Sequence, residues 1–471
     1  MQPNMKNIRI LAISLPLLIT VLGLTLAGRG TAQTFTVLHT FTSESNGAAN
    51  PFAGVILSGT NLYGTSQGGG SSGMGTVFRV SKNGTHFTNL HSFTAASGPK
   101  GTNSDGVNPS GGVIISGDTL YGTASAGGAY GNGTVFAMNT DGTDVKNLNN
   151  FNGEGIVRIS GLMISGNIYG TVDGGGAFGL GSVFTLNSDG NGFTNLHDFG
   201  LSPGWPFNTD GAYPLAEVIL SGSTLYGTTG GGGQSGQGIV FAINTDGSGF
   251  TNLHSLAYTN DGGIPNAGLV LSGNRLYGTA IQGGSFGVGT VFGLNTDGTG
   301  FQTLHNFNTS DGASPGATLT SSGKTLYGTT AYGGSSGAGT VFKINTDGSG
   351  FLTLHHFPAT SGIGTNSDGA VPYSRLLLSD NILYGTASRG GGSGNGTLFS
   401  IFILPELTII PSGASMILTW PTNYAGFTLQ STTNLVSPAW TTNSPLPVVV
   451  NGQNTVTNPI SGNHQFFRLS Q

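Results

Sequence analysis

Short apolar segments alternate with glycine-rich or polar turns along most of this chain, and helical periodicity is absent. One stretch shows the unit: apolar segments at 269–272, around 277, at 290–294 and at 301–307 are separated by turns such as Gly273-Asn274 and Asp297-Gly298. Glycine and asparagine adopt positive φ at little cost, so these dipeptides favour tight hairpins. Four short strands per unit, recurring at roughly 50-residue spacing, are typical of a β-propeller blade.

The triplet Tyr-Gly-Thr marks each copy of the unit, and a phenylalanine follows each tyrosine at a constant offset of fifteen residues. The tyrosines are Tyr63, Tyr121, Tyr169, Tyr226, Tyr277, Tyr327 and Tyr384, and the phenylalanines are Phe78, Phe136, Phe184, Phe241, Phe292, Phe342 and Phe399. A constant offset indicates one supersecondary unit repeated without insertion. We therefore predict seven blades in which the tyrosines are structural.

The two ends of the array predict how it closes. The fourth strand of the unit occurs first at Leu38-His39, before the first Tyr-Gly-Thr, and no copy follows Phe399. The N-terminal strand, Thr34 to Phe41, is therefore predicted to complete the last blade, which removes both exposed sheet edges. The predicted fold class is all-β: a seven-bladed β-propeller over 34–402, closed by an N-terminal strand.

Composition excludes several classes of function. The 471 residues include 85 glycines and no cysteine, and only 7% are charged, with a net charge of −5. The 14 basic residues are scattered, so no stripe exists that would neutralise phosphates, and we predict no nucleic-acid partner. The absence of cysteine excludes disulfides, thiol catalysis and cysteine zinc sites.

The first 32 residues read as a signal peptide. Lys6 and Arg9 form a basic start, Ile10 to Leu26 is apolar, and Gly30-Thr31-Ala32 supplies small residues for cleavage. The alternative is an uncleaved anchor, since 17 residues lie at the lower edge of a membrane span. After cleavage we predict no integral membrane segment, and a secreted or cell-surface protein.

The repeated motifs resemble the GloVer tandem-repeat family of exported bacterial proteins. The resemblance rests on Leu-Tyr-Gly-Thr, a glycine-rich loop, Gly-Thr-Val-Phe-x-Ile-Asn-Thr-Asp-Gly and Phe-x-x-Leu-His-x-Phe, and covers about residues 34–402. It implies export and a propeller joined to a variable C-terminal anchoring or sorting module, and it brings no assigned activity. The third copy of the fourth strand departs from the pattern because Asn149 stands at the histidine position.

Beyond Pro405 the composition changes, because the glycine triplets stop and Ser, Thr, Asn and Pro increase. Strand-like segments at 407–410, 416–420, 427–430, 448–450 and 466–469 predict a small immunoglobulin-like β-sandwich over 405–471. Trp420 and Trp440 are predicted to lie in its core, with an aromatic ligand platform as the alternative.

Six histidines occupy one strand position, each in a different unit: His39, His91, His197, His254, His305 and His355. Metal ligands must converge, whereas these residues are distributed among the blades. We interpret them as buried structural residues hydrogen-bonded to the backbone and predict no metal site and no cofactor. Ten aspartates in two repeated turns are interpreted as turn-stabilising, with structural calcium as the alternative.

Binding is predicted on the face that carries the long loops, because the opposite face has only tight hairpins. The connection at 200–213 contains Trp205, Phe207, Asp210 and Tyr213, and Trp205 is the only tryptophan in the predicted propeller. An exposed aromatic there suits stacking on a sugar or a contact with a partner protein. The alternative is local packing of a long loop.

The sequence therefore favours an exported or cell-surface binding protein with an extracellular glycan or protein partner on the long-loop face. One alternative is a structural protein of the surface or matrix that self-associates. Another is a polysaccharide-active enzyme with a site at the central channel, for which Glu154 and Arg158 are the unmatched charges. No pair of carboxylates stands out as an acid and a base, so no catalytic residue is predicted.

Overall fold

The computed structural model describes residues 11–14, 34–152, 161–200, 208–422, 426–435, 438–443, 445–460 and 464–470. Within these ranges the regular structure is strand, and none of it is helix, so no described segment is a helix that could cross a membrane. The chain divides into two compact units. One comprises Phe35–Leu377 and Tyr384–Ser400, and the other comprises Met1–Thr34, Leu378–Leu383 and Ile401–Gln471.

The described repeats form seven four-stranded sheets, numbered 1 to 7 along the chain. The first strands are Ile56–Ser58, Ile114–Ser116, Met163–Ser165, Ile219–Ser221, Val270–Ser272, Thr320–Ser322 and Leu377–Ser379. The second strands are Asn61–Ser66, Thr119–Ala124, Asn167–Val172, Thr224–Thr229, Arg275–Ala280, Thr325–Thr330 and Ile382–Ala387. The third strands are Thr76–Ser81, Thr134–Asn139, Ser182–Leu186, Ile239–Asn244, Thr290–Asn295, Thr340–Asn345 and Thr397–Phe402.

The fourth strands of sheets 1 to 6 follow their third strands, whereas sheet 7 takes its fourth strand from the other end of the array. These strands are Thr88–Ser92, Lys146–Asn150, Thr194–Asp198, Thr251–Ser255, Gln302–Asn306, Leu352–His356 and, for sheet 7, Phe35–Thr40. A further short pair joins Ala48–Ala49 to Gly68–Gly69.

The glycine of the Tyr-Gly-Thr triplet makes room for the repeated phenylalanine. In sheet 6, Gly328 pairs with Phe342 across the second and third strands. A Cβ atom at position 328 would lie 2.5 Å from Cζ of Phe342, closer than real Cβ contacts come. At the equivalent glycines of the other six sheets, an added Cβ atom would lie 2.4–2.6 Å from Cζ of the paired phenylalanine. The offset is therefore constant because the glycine and the phenylalanine are cross-strand partners.

The threonine of the triplet connects neighbouring sheets. Its buried hydroxyl donates a hydrogen bond to the carbonyl oxygen of a residue that leads into the next sheet. Thr65 donates to Gly111 at 3.0 Å, and Thr228 donates to Ala267 at 3.0 Å. Thr386 of sheet 7 donates to Ala53, which leads into sheet 1, at 2.9 Å.

An apolar core lies between each pair of consecutive sheets from sheet 1 to sheet 6. Sheet 7 makes aromatic contacts on both sides. The ring of Phe35 stacks on that of His355 in sheet 6, with centroids 3.8 Å apart, and the ring of Phe41 lies 5.1 Å from that of Phe78 in sheet 1. The N-terminal strand and the residue that follows it therefore contact both sheet 6 and sheet 1.

The second unit contains two further four-stranded sheets among its described residues. One has the order Thr408–Ser412, Ser415–Pro421, Gln453–Pro459, Val448–Val450, and the other has the order Leu11–Ser14, His464–Ser470, Thr428–Thr432, Thr441–Thr442. One apolar cluster contains residues of both sheets. Trp420 belongs to it and is buried, as predicted. The prediction for Trp440 is wrong: it lies outside this cluster, with the Arg468 guanidinium 4.4 Å from its ring.

The predicted signal peptide at 1–32 lies outside the described residues except for Leu11–Ser14. Export therefore stays a prediction.

Candidate functional site

Two sets of long loops lie on one face of the repeat sheets. The connection that enters a sheet pairs with the loop between the second and third strands of that same sheet, through bridges such as Val107 to Ala126 and Ala212 to Gly231. The opposite strand ends are joined by short turns, for example around Asp297, where the carboxylate accepts a hydrogen bond from the Thr299 backbone N–H at 2.9 Å. We call the loop-bearing side the long-loop face.

A residue with positive φ directly before a proline anchors six of the connections. These residues are Asn50, Asn108, Tyr213, Ile264, Ser314 and Val371, with φ between 54° and 59°. Their N–H groups bond to the preceding sheet, as Tyr213 does to the Leu180 carbonyl at 2.8 Å. Positive φ is costly for branched residues such as Ile264 and Val371. Because the same conformation and hydrogen bond recur, the six connections share one backbone anchor, and together they frame the long-loop face.

The repeated histidines lie beneath this frame. Nε2 of His91, His254 and His305 hydrogen-bonds the carboxylates of Asp105, Asp261 and Asp311 at 3.0, 3.0 and 3.2 Å. His197 faces Asp210 at 3.5 Å and His355 faces Asp368 at 3.1 Å. The expected backbone partner is thus replaced by a carboxylate from the long connection, since the side chain of that turn aspartate reaches the histidine. The repeated histidines and the repeated turn aspartates therefore form one recurring side-chain contact.

Aromatic stacking covers the other side of these histidines. His197, His254 and His305 stack on a phenylalanine of the next sheet, with ring centroids 3.7–3.8 Å apart. Burial lowers the pKa of His39, His197, His305 and His355, although the facing aspartates oppose the shift for the last three. The folded protein therefore holds these rings in the neutral form.

We expect the protein to lose stability in weak acid. A histidine whose pKa is lowered on folding binds fewer protons in the folded than in the unfolded state, so the free energy of unfolding falls as pH drops through the unfolded value of 6.5. Thermal unfolding at pH values about one unit above and below 6.5 checks this. His305→Asn should reduce the pH dependence, whereas Leu352→Ala, an exposed change that removes no histidine, should leave it unchanged. An identical pH dependence in both variants would contradict the prediction.

Two of the four predicted site residues are described. Asp210 accepts a hydrogen bond from the Gly200 N–H at 2.9 Å and faces His197, so it has the same structural role as the other turn aspartates. Tyr213 has a side chain that is 40% exposed on the long-loop face. Trp205 and Phe207 lie outside the described residues, as do Glu154 and Arg158. Asp210 and Tyr213 thus lie in the same connection but differ in role: Asp210 contacts the protein interior, whereas the Tyr213 side chain is exposed.

Further exposed aromatics lie on the long-loop face, and sequence reasoning missed them. Tyr130, Phe178 and Phe286 are 51%, 53% and 63% exposed at one equivalent loop tip, where the other sheets carry Ser72, Ser235, Ser336 and Ser393. Tyr258 and Tyr332 are exposed in neighbouring loops of the same face. The signal available in the sequence was the exchange of serine for an aromatic residue at a single repeat position.

The described residues contain no group of three or more His, Asp or Glu side chains that could hold a metal ion. The long-loop face thus offers aromatic rings, hydroxyls and amides, which are groups that bind by stacking and hydrogen bonding.

Known proteins resemble this chain in repeat sequence and in fold. The model of the Gloeobacter/Verrucomicrobia repeat matches residues 100–285 and 165–399, which together exceed half of the chain. Among proteins of curated function, none matches the sequence.

Three solved structures illustrate the likeness in fold. An oligogalacturonate lyase from Vibrio parahaemolyticus is 10% identical, with a TM-score of 0.50 over 85% of this chain and 99% of that chain. A GH74 enzyme from Niastella koreensis is 14% identical, with a TM-score of 0.47 over 83% of this chain and 59% of that chain. A chain of a nidogen/laminin complex is 16% identical, with a TM-score of 0.39 over 63% of this chain and 94% of that chain. The likeness to the oligogalacturonate lyase supports a β-propeller-like all-β fold for this chain. Because the two sequences are only 10% identical, the likeness concerns the fold and not the activity.

Proposed function

This chain belongs to the Gloeobacter/Verrucomicrobia repeat family, and we propose that it is an exported or cell-surface binding protein whose long-loop face takes an extracellular glycan or protein partner. In this proposal residues 34–402 form a seven-bladed propeller closed by the N-terminal strand. Residues 1–32 are a cleaved signal peptide, and residues 405–471 form a small immunoglobulin-like β-sandwich that serves attachment or sorting.

The packing of the seven sheets supports the closed propeller. Phe35 and Phe41 of the N-terminal strand contact sheets 6 and 1, and Thr386 bonds across the same boundary. Closure of this kind leaves no terminal sheet without a neighbour, and each blade retains only the short strand edges that are usual in propellers.

The distribution of exposed aromatic residues carries the binding proposal. Among the described residues of the repeat sheets, Tyr130, Phe178, Tyr213, Tyr258, Phe286 and Tyr332 are exposed on the long-loop face. By contrast, two apolar residues are exposed at the starts of fourth strands: Phe193, directly before one, and Leu352, the first residue of another. Exposed rings on rigid, charge-poor loops stack well on the C–H faces of sugars, so a glycan is the favoured partner.

We expect the mature protein to bind at least one polysaccharide in a pull-down against a panel of soluble and insoluble polysaccharides. The double variant Tyr130→Ala/Phe178→Ala should weaken that binding roughly tenfold or more, because each ring supplies contact area that alanine lacks. Leu352→Ala removes an exposed apolar residue from a fourth strand and should leave binding unchanged. Trp205→Ala tests the connection at 200–213 in the same assay.

Equal losses in the double variant and in Leu352→Ala would contradict the placement on the long-loop face. A wild-type protein that binds no polysaccharide and sediments as large assemblies would instead support self-association.

A further inference from the structure

Each sheet is entered through the same short segment, which begins at the repeated proline or its equivalent. The fourth position of this segment, directly before the buried apolar residue that precedes the first strand, is glycine in four sheets and a longer side chain in three. In order these residues are Gly54, Gly112, Gly161, Glu217, Gly268, Thr318 and Arg375. We call them the inner ring. Because glycine satisfies the fold in four sheets, the other three residues are not required by the repeat.

Glu217 shows that the sheets converge at the inner ring. It belongs to sheet 4, yet its Oε1 accepts a hydrogen bond from the Thr318 hydroxyl of sheet 6 at 2.9 Å. A Cβ atom on Gly268 of sheet 5 would lie 2.8 Å from the Glu217 carboxyl carbon, and one on Gly161 of sheet 3 would lie 3.4 Å from Oε2. A single side chain can meet three other sheets only where the sheets approach a common axis.

The orientation of the carboxylate is fixed by Thr318. The Thr318 hydroxyl oxygen accepts a hydrogen bond from the Gly268 N–H at 2.9 Å, and its own hydrogen is therefore directed to Glu217. Thr318 is 5% exposed, so this arrangement is shielded from water. Glu217 is half-buried, and its second oxygen, Oε2, has no hydrogen-bond partner among the described residues. The inner ring therefore presents one oriented carboxylate oxygen that makes no hydrogen bond with the described residues.

Two residues earlier in the same segments lie Phe52, Asn266, Gly316 and Tyr373. Phe52 and Tyr373 stack with ring centroids 4.8 Å apart. A Cβ atom on Gly316 would lie 2.3 Å from Cζ of Tyr373, so the tyrosine covers the backbone of its neighbour. The side-chain amide of Asn266 makes no hydrogen bond with the described residues, and its Oδ1 is unpaired. An aromatic pair and an amide that makes no hydrogen bond with the described residues therefore lie two positions before residues of the inner ring.

We propose that this inner ring binds one neutral sugar unit, a second site distinct from the exposed aromatic loop tips. Sugar hydroxyls both donate and accept, so one can donate to Glu217 Oε2 while another accepts from the Asn266 amide. An ammonium group only donates, and Arg375 in the same ring disfavours a cation by like-charge repulsion. The stacked pair of Phe52 and Tyr373 supplies an apolar surface in the segments that enter sheets 1 and 7. The inference rests on the proposed glycan-binding function in its choice of ligand class.

Titration calorimetry of the full mature chain with free D-glucose, D-galactose, D-mannose and N-acetylglucosamine tests the site, with ethanolamine as a cationic probe. At least one neutral sugar should bind saturably, and Glu217→Gln should weaken it roughly tenfold, the usual loss for a hydrogen bond to a charged group. Thr318→Val should give a smaller loss, because it frees the carboxylate without removing it. Glu44→Gln, on an exposed loop of the same face, should bind as the wild type does.

The outcomes separate this inference from the proposed function. Sugar binding that Glu217→Gln weakens and Tyr130→Ala/Phe178→Ala preserves would support the inner ring. Polysaccharide capture without binding of any free sugar would overturn the inner ring and leave the proposed function standing. Equal effects of Glu217→Gln and Glu44→Gln, or binding of ethanolamine that depends on Glu217, would also overturn it. Thermal unfolding of each variant establishes that the fold is intact.

Discussion

Phe41→Ala is expected to lower the free energy of unfolding by about 3–5 kcal/mol, the usual cost of truncating a buried phenylalanine. Phe41 has no solvent exposure, and its ring lies 5.1 Å from that of Phe78 in sheet 1. It follows the N-terminal strand, far in sequence from the other strands of sheet 7. The size of the loss therefore reports how firmly the N-terminal strand is held.

Phe307→Ala is the matched comparison. Phe307 occupies the equivalent position in sheet 5, is equally buried, and has the same 5.1 Å ring separation from Phe342. If the N-terminal strand closes the array, urea unfolding should give similar losses for the two variants. If that strand frays on its own, Phe41→Ala should cost much less than Phe307→Ala. Leu352→Ala, an exposed change, should stay within about 0.5 kcal/mol of the wild type.

The sheets could be predicted from the sequence because the same motifs recur at the same spacing in every unit, and this spacing reflects how the strands pair. The constant offset between tyrosine and phenylalanine encodes a cross-strand pair, and the unpaired copy at Leu38-His39 locates the strand that joins sheet 7. The partner of the histidines could not be predicted this way. His91 and Asp105 lie fourteen residues apart, whereas His254 and Asp261 lie seven apart. Because the loop length varies between repeats, the sequence shows no constant spacing between the histidine and its aspartate.

The candidate site was harder to predict for a related reason. Residues that recur in every repeat are those that the fold requires. The candidate site residues, by contrast, stand at positions where one repeat differs from the others. Glu217 is one of four glutamates in the chain, and nothing adjacent to it in sequence suggests a role. Its significance depends on Thr318, which lies 101 residues away and meets it only where sheets 4 and 6 converge. Comparing equivalent repeat positions one by one would have singled out Glu217, Thr318 and Arg375.

Gly328→Ala should destabilise the protein by about 1–3 kcal/mol, the cost of inserting a methyl group into a packed core. The added Cβ would lie 2.5 Å from Cζ of Phe342 and 2.8 Å from Cδ2 of Leu319, both of which are fully buried. Backbone strain plays no part, since Gly328 is not among the residues with positive φ. Gly362→Ala is the control, because nothing lies within 4 Å of its added methyl and its φ is also not positive.

A double-mutant cycle isolates the steric cause. Phe342→Leu shortens the ring that occupies the space above Gly328, so the pair Gly328→Ala/Phe342→Leu should cost less than the sum of the two single changes by at least about 0.5 kcal/mol. Urea unfolding of the four proteins measures this coupling. Additive losses would show that Phe342 does not make glycine necessary, and the constant fifteen-residue offset would then require a different explanation. Coupling would establish that one glycine–phenylalanine contact, repeated in every sheet, determines the register of the whole array.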